Sequence, residues 1–261
     1  MVYFLYSINF GKGIKIMFQF GSDKKLLYIL MVVLVAIAIA SYRENPAELL
    51  DLVLTIPAVL IAITFHEFAH AFVADKLGDD TPRRQGRLTL NPIAHLDPIG
   101  SVLLIVAGYG WGKPVEISPR NFNRNISMSA GNALVSVAGP IMNFLLAILF
   151  TIINFAIIKF APEFGYTQAG GIVMMVVQYT IIINVGLGVF NLIPLPPLDG
   201  SKILIHFLPY NAKTWFEKYS QLFYIVFIVL WWTGIASKII SPVINGVYAG
   251  IISVVGKLFG M

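Results

Sequence analysis

The 261-residue sequence contains no cysteine and few charged residues. Without cysteine the chain has no disulfide and no Cys-based zinc finger, so His, Asp or Glu must hold any metal. Charged residues make up 12% of the chain and hydrophobic residues 57%, whereas a soluble domain has about 25% charged residues. This balance excludes a soluble globular domain and intrinsic disorder, and the small basic excess in short loops excludes nucleic-acid binding. It indicates a chain that lies mostly in the lipid bilayer.

Long apolar runs predict an all-α polytopic membrane protein with about six transmembrane helices. The expected spans are residues 26–42, 52–78, 129–158, 171–193, 219–236 and 239–255. The apolar run 99–108 is too short to cross as a helix and is interpreted as re-entrant or interfacial. Aromatic residues interleaved with lysines predict an interfacial segment at 1–25. The remainder, 26–261, is expected to form one membrane-embedded domain with its core at about 50–210.

Two strand candidates lie in the polar connection between the second and third spans. They are residues 87–90 and 114–117, and they predict a small membrane-associated β element. An edge of such a sheet would hold an extended peptide through backbone hydrogen bonds.

The distribution of basic residues predicts the orientation of the chain. In the six-span topology, 15 of the 18 Lys and Arg residues fall on one side. Only Arg43, Lys159 and Lys238 fall on the other side. Because Lys and Arg concentrate in cytoplasmic loops, both termini of this multi-pass cell-membrane protein are predicted to be cytoplasmic.

The stretch HEFAH at 66–70 is an HExxH motif inside an apolar helix. Residues four apart share one helix face, so His66 and His70 can reach one metal ion while Glu67 touches a water on that metal. The alternative is polar pairing within a helix bundle. It is disfavoured because ionisable groups are costly inside a membrane and usually mark a functional site.

Two histidines leave a catalytic zinc one protein ligand short. The span 171–193 runs in the same direction as the second span and leads to NLIPLPPLDG (191–200) on the same membrane side. Its three prolines exclude a regular helix and predict an extended stretch that is either buried in protein or lines a cavity. Asp199 is therefore the candidate third ligand. The alternative is that Asp199 only N-caps a helix at 200–208.

At these residues the chain resembles the site-2 protease family of intramembrane zinc metalloproteases. The matching stretches are HEFAH (66–70), AGPIMN (138–143) and NLIPLPPLDG (191–200). Two more stretches, GRLTLNPIAHLDPIG (86–100) and GWGKPVEISPRNF (110–122), look like the small bacterial branch of that family. From the length of this sequence we expect neither the PDZ insertion nor the CBS domain that many members carry.

The resemblance implies a cofactor, a reaction and a class of substrates. One Zn²⁺ per chain would be held by His66, His70 and Asp199, with Glu67 as the general base. The substrates would be transmembrane proteins, cleaved within the lipid bilayer in regulated intramembrane proteolysis. The protein would have no nucleic-acid partner, and no pattern predicts its oligomeric state.

Two further residues have alternative interpretations. Asn143 would either donate a hydrogen bond to the substrate backbone or the developing oxyanion, or make an interhelical hydrogen bond beside Gly139. His95 is interpreted as a loop histidine, with gating or a fourth metal ligand as the alternative.

Two other functions stay open. One is a metal-handling membrane transporter in which the HExxH side chains line an ion path, although the sequence has no inverted repeat. The other is a catalytically silent homologue that binds membrane partners.

Overall fold

The computed structural model of the protein describes residues 46–107 and 110–261, together with positions 29, 32, 33, 36 and 40. The predicted interfacial segment 1–25 lies outside the described residues. The first predicted span, 26–42, is described only at those five isolated positions.

The described residues form helices and no sheet. Four helices are long and apolar enough to cross a membrane: α1 (Pro46–Lys76), α4 (Met128–Phe160), α6 (Gln168–Asn191) and α10 (Ile235–Phe259). The shorter helices are α2 (Thr81–Arg84), α3 (Pro98–Ala107), α5 (Pro162–Gly165), α7 (Asp199–Phe207), α8 (Tyr210–Lys218) and α9 (Ser220–Trp232). Short 3-10 turns lie at Pro92–His95 and Pro119–Asn121. The predicted all-α class with several spanning-length helices is confirmed for this part of the chain.

One predicted span is shorter in the structure than the sequence suggests. The apolar run 219–236 was expected to cross, but α9 ends at Trp232 after 13 residues. Gly234 has a φ of +73° and begins the next helix from a left-handed conformation, which separates α9 from α10. A helix of this length rises about 20 Å, which is less than the roughly 30 Å hydrocarbon core. The described ranges therefore contain four spanning-length helices.

The described residues divide into two compact units, and the smaller one contains most of the apolar run 99–108 that was interpreted as re-entrant or interfacial. It comprises 46–53 with 96–107 and 110–114. After the ten-residue helix α3, the chain turns back so that Gly112 forms an antiparallel bridge with Leu96. The backbones are close here, because a methyl group on Gly100 would lie 2.1 Å from the Trp111 carbonyl oxygen. The chain therefore returns after α3 to the residues that precede this helix, and its position as a re-entrant or interfacial segment stays a prediction.

The predicted β element is wrong. Neither 87–90 nor 114–117 forms a strand, and the hydrogen bonds of their backbone groups go to nearby turns and to side chains, such as the bond from the Arg87 N–H to the Pro82 carbonyl at 2.8 Å. The Thr89 carbonyl accepts a hydrogen bond from His95 Nε2 at 2.8 Å, and the Thr89 hydroxyl accepts one from the Asn91 N–H at 3.1 Å. The Val115 N–H donates to Glu67 Oε2 at 2.7 Å.

The larger unit, 54–95 with 115–261, is held together by close packing between spanning helices. A cluster of buried small and β-branched residues joins α4 to α6, with α10 packed against it: Ala147, Val177, Ile181, Val185 and Val189. The helices come so close that a methyl group on Gly188 would lie 2.8 Å from the Phe144 ring. Small residues permit this approach where no hydrophobic effect drives the helices together.

Candidate metal centre

Two histidines and one aspartate meet inside the larger unit. His66 and His70 lie one turn apart on α1, and Asp199 is the first residue of α7. Asp199 Oδ2 lies 3.2 Å from His66 Nε2 and 3.0 Å from His70 Nε2, and the two nitrogens are 2.9 Å apart. All three side chains are buried. The structure therefore brings together the three residues that the sequence analysis names as metal ligands.

Asp199 does not occupy the capping position that was its alternative interpretation. Leu198 is the N-cap residue of α7, and no side chain caps this helix. The Asp199 carboxylate instead has Oδ2 beside the two histidines and Oδ1 3.4 Å from Lys202 Nζ.

The proline-rich stretch before Asp199 is non-helical, as predicted, but it forms consecutive turns and is not extended. The Leu195 N–H donates to the Ile193 carbonyl at 2.8 Å, and the Leu198 N–H donates to the Leu195 carbonyl at 3.0 Å. Gly200 packs directly against this stretch, because a methyl group there would lie 2.3 Å from the Leu192 carbonyl oxygen. A larger residue at this position would push α7 and its carboxylate away from the turns.

The hydrogen bonds at the opposite ring nitrogens test whether this site fits a metal. His66 Nδ1 lies 2.6 Å from Asn143 Oδ1, and His70 Nδ1 lies 2.7 Å from the Val135 carbonyl oxygen. Because these oxygens only accept, each Nδ1 carries the proton and each Nε2 presents its lone pair in the neutral ring. Two lone pairs and a carboxylate oxygen in close proximity are mutually repulsive without a cation. Such outer partners are also typical of metal-binding histidines.

Space around the donor atoms also fits a metal ion. Gly139 on α4 faces both imidazoles, and a methyl group there would lie 2.5 Å from His70 Nε2 and 2.6 Å from His66 Nε2. Glycine thus leaves open the space next to the ligand atoms. Two imidazole nitrogens and one carboxylate oxygen form a donor set that suits zinc with a fourth position left for water.

Glu67 is buried with 3% of its surface exposed. Its Oε2 accepts the hydrogen bond from the Val115 N–H at 2.7 Å. The predicted general base is therefore held by a backbone donor that lies 48 residues away in the sequence.

Asn143 is fully buried, and its side-chain amide forms hydrogen bonds with residues of neighbouring helices. Its Nδ2 donates to the Ala62 carbonyl at 3.1 Å and to Asn184 Oδ1 at 2.8 Å, while Oδ1 faces His66. Both amide protons are used in these interhelical hydrogen bonds, which correspond to the second interpretation of Asn143, and its contact with a substrate stays a prediction.

His95 lies in a buried loop position outside the metal-ligand cluster. Its Nε2 donates a hydrogen bond to the Thr89 carbonyl. Among the described residues its Nδ1 has no hydrogen-bond partner. Burial lowers the pKa of the His95 imidazole, which favours the neutral ring. The structure therefore does not include His95 among the metal ligands.

Two residues that contact this site were not predicted from the sequence. Lys202 is one helical turn after Asp199 and faces its second oxygen. Asn184 on α6 is fully buried and bonds Asn143. The signal for Asn184 was available, since a polar side chain within an otherwise apolar span usually has a structural or functional role.

Helices of spanning length and a buried cluster of metal-ligating side chains define the class: a helical membrane protein with a candidate metal site. A profile of peptidase family M50 matches residues 157–233. The chain belongs to this family, the site-2 protease family, as the motifs indicated. No solved structure matches the chain.

Three relatives are each named "Putative zinc metalloprotease" with an individual designation. YwhC of Bacillus subtilis is 37% identical over 204 residues, which are 77% of this chain and 90% of YwhC. Rip2 of Mycobacterium tuberculosis is 28% identical over 204 residues, 77% of this chain and 71% of Rip2. MJ0611 of Methanocaldococcus jannaschii is 26% identical over 183 residues, 70% of this chain and 84% of MJ0611.

Proposed function

We propose that the protein is a zinc-dependent intramembrane endopeptidase that cleaves transmembrane segments of membrane proteins. The observation that carries this proposal is the convergence of His66 Nε2, His70 Nε2 and Asp199 Oδ2 within 3.2 Å of one another. Family membership and the names of the relatives support a zinc metalloprotease. The spanning-length helices support a substrate that lies in the bilayer.

One zinc ion per chain would be held by His66, His70 and Asp199. Bound zinc would supply Lewis acidity, which polarises a peptide carbonyl and activates water at neutral pH. Glu67 accepts the proton of the attacking water and passes it to the leaving amine. The Val115 N–H orients the Glu67 carboxylate for these transfers. We assign Asn143 to positioning His66 and not to contact with the substrate.

The substrate helix must unwind locally before it is cleaved, because carbonyls within a helix are already hydrogen-bonded. Water then has to reach the site along a polar path from the cytoplasmic side. The six-span topology places this end of α1 and the start of α7 at that side, with both termini cytoplasmic in the cell membrane. In this topology α9 crosses despite its length of 13 residues.

Reporter fusions test this topology. A reporter after Met261 is expected to be cytoplasmic, and one inserted at Gly234 is expected to be on the opposite side. A non-cytoplasmic signal from the first fusion would contradict the orientation, and a cytoplasmic signal from the second would contradict crossing by α9.

The activity is tested with the purified protein and its Glu67→Gln variant. Both are expected to bind zinc, but only the parent is expected to cleave members of a panel of single-span membrane proteins. Glu163→Gln is the matched control, because it makes the same change at an exposed glutamate in α5 and is expected to keep full activity.

The outcomes separate the alternatives. Zinc binding without cleavage of any substrate would favour a transporter or a catalytically silent homologue. Full zinc content and activity in Asp199→Ala would contradict the ligand assignment.

A further inference from the structure

A chain of hydrogen bonds runs from His66 through two buried asparagines to the backbone of α6. We propose that Asn184, acting through Asn143, is a positioning residue that fixes the tautomer and ring orientation of His66 for metal binding. This inference rests on the proposed zinc site.

The chain of hydrogen bonds is continuous and buried. His66 Nδ1 lies 2.6 Å from Asn143 Oδ1, Asn143 Nδ2 donates to Asn184 Oδ1 at 2.8 Å, and Asn184 Nδ2 donates to the Thr180 carbonyl at 2.8 Å. His66 is 1% exposed, and both asparagines are 0% exposed. The chain connects α1, α4 and α6, which makes it interhelical over most of its length.

The direction of every bond in this chain is set by backbone carbonyls, which can only accept. The Thr180 carbonyl requires the NH₂ group of Asn184 to face it, so Asn184 presents its oxygen to Asn143. The Ala62 carbonyl, 3.1 Å from Asn143 Nδ2, imposes the same orientation on Asn143. Asn143 therefore turns its oxygen toward His66, whose Nδ1 must donate. The lone pair is left on Nε2, the atom beside Asp199 and His70.

Reversal of the Asn143 amide would undo this assignment. It would present NH₂ to His66 Nδ1, which favours the ring with its proton on Nε2, and that form cannot bind a metal through Nε2. Asn184 and Ala62 both oppose the reversal, since each would then face an oxygen. Removal of Asn184 takes away one of these two constraints and leaves one Asn143 N–H without its partner.

The test uses the full-length protein and zinc, with two measurements. The first is the zinc Kd, measured by competition with a chelator. The second is the tautomer of His66 in zinc-free protein, read from ¹⁵N-histidine NMR. The chain has only four histidines, so His66→Ala assigns the signal. A residue with only a structural role would not shift the tautomer.

Asn184→Leu is expected to raise the zinc Kd about tenfold, the lower end of the range for outer partners of a metal ligand, and to populate the Nε2–H form of His66. Thr180→Val is the matched control, because it alters the same turn of α6 but keeps the carbonyl that Asn184 uses. It is expected to match the parent in both measurements. Asn184→Ala provides a second variant that removes the amide if leucine prevents folding.

Unchanged zinc Kd and an unchanged His66 signal in a folded Asn184 variant would overturn the inference. This result differs from a failure of the zinc site itself. In that case the parent would not bind zinc, or His66→Ala would leave the zinc Kd unchanged.

Discussion

His66 and His70 lie one turn apart and place their Nε2 atoms 2.9 Å from each other, yet the protein orients the two rings differently. His66 is held by the side chain of Asn143, which is itself held by Asn184. His70 is held by the backbone carbonyl of Val135. A side-chain partner can be removed by one substitution, whereas a backbone carbonyl is retained in every variant. Substitution of the hydrogen-bond partner should therefore change the orientation of His66 but not that of His70.

Gly139→Ala should weaken metal binding by His66 and His70 alike, so that the two histidines no longer differ in their sensitivity to mutation. The added methyl group would lie 2.5 Å from His70 Nε2 and 2.6 Å from His66 Nε2. We expect zinc binding to weaken by more than the roughly 100-fold maximum of outer-partner effects, measured as zinc Kd.

Gly186→Ala is the control for the change from glycine to alanine within a spanning helix. A methyl group at Gly186 has no neighbour within 4 Å, and zinc binding should not change. Zinc binding by Gly139→Ala equal to that of the parent would contradict the position of the metal.

Asn143→Leu should affect His66 alone. The substitution removes the acceptor of the His66 Nδ1 proton and keeps a similar side-chain volume, so we expect the zinc Kd to rise about 10- to 100-fold. The ¹⁵N signal of His70 should stay at its parental position. A change at His70 equal to that at His66 would show that the bundle has rearranged and would contradict independent positioning of the two rings.

Val115→Pro tests the third polar group of the motif, which is held by backbone like His70. Proline removes the N–H that donates to Glu67. A hydrogen bond to a charged group contributes about 1.5–3 kcal/mol, so the cleavage rate should fall about tenfold or more while zinc content stays constant.

The matched control is Val115→Ala, which retains the N–H and should cleave at the parental rate. Equal rates for the proline and alanine variants, in folded protein, would exclude a role for this hydrogen bond.

Val135→Ala should have the smallest effect of the series. The alanine variant keeps the carbonyl that orients His70, so the zinc Kd and the His70 tautomer should be unchanged. A weaker zinc site in this variant would mean that the Val135 side chain, and not its carbonyl, positions the ring.

The metal-ligand cluster could be predicted because its geometry follows from local rules and chain direction. The spacing of His66 and His70 is fixed by the helix period. Asp199 followed from the direction of two spans and a stretch that proline excludes from a helix. None of these inferences requires knowledge of a distant contact.

Two of the features that differ from the predictions depend on contacts between residues far apart in the sequence, and a third depends on the conformation of one glycine. Residues 114–117 look like a strand, but the Val115 N–H is taken by a glutamate 48 residues away. α9 is shorter than its apolar run because the left-handed Gly234 follows it. The polar Asn184 stands out in its apolar span, but the sequence does not show that its partner is Asn143 on another helix.

Zinc K-edge X-ray absorption on the purified protein measures the proposed ligand set itself. With His66, His70 and Asp199 as ligands, it should show one zinc per chain with nitrogen and oxygen donors at about 2.0–2.2 Å, and with the outer-ring scattering of two imidazoles. His70→Ala should lose half of the imidazole scattering. Absence of zinc, or a zinc spectrum without imidazole scattering, would contradict the account.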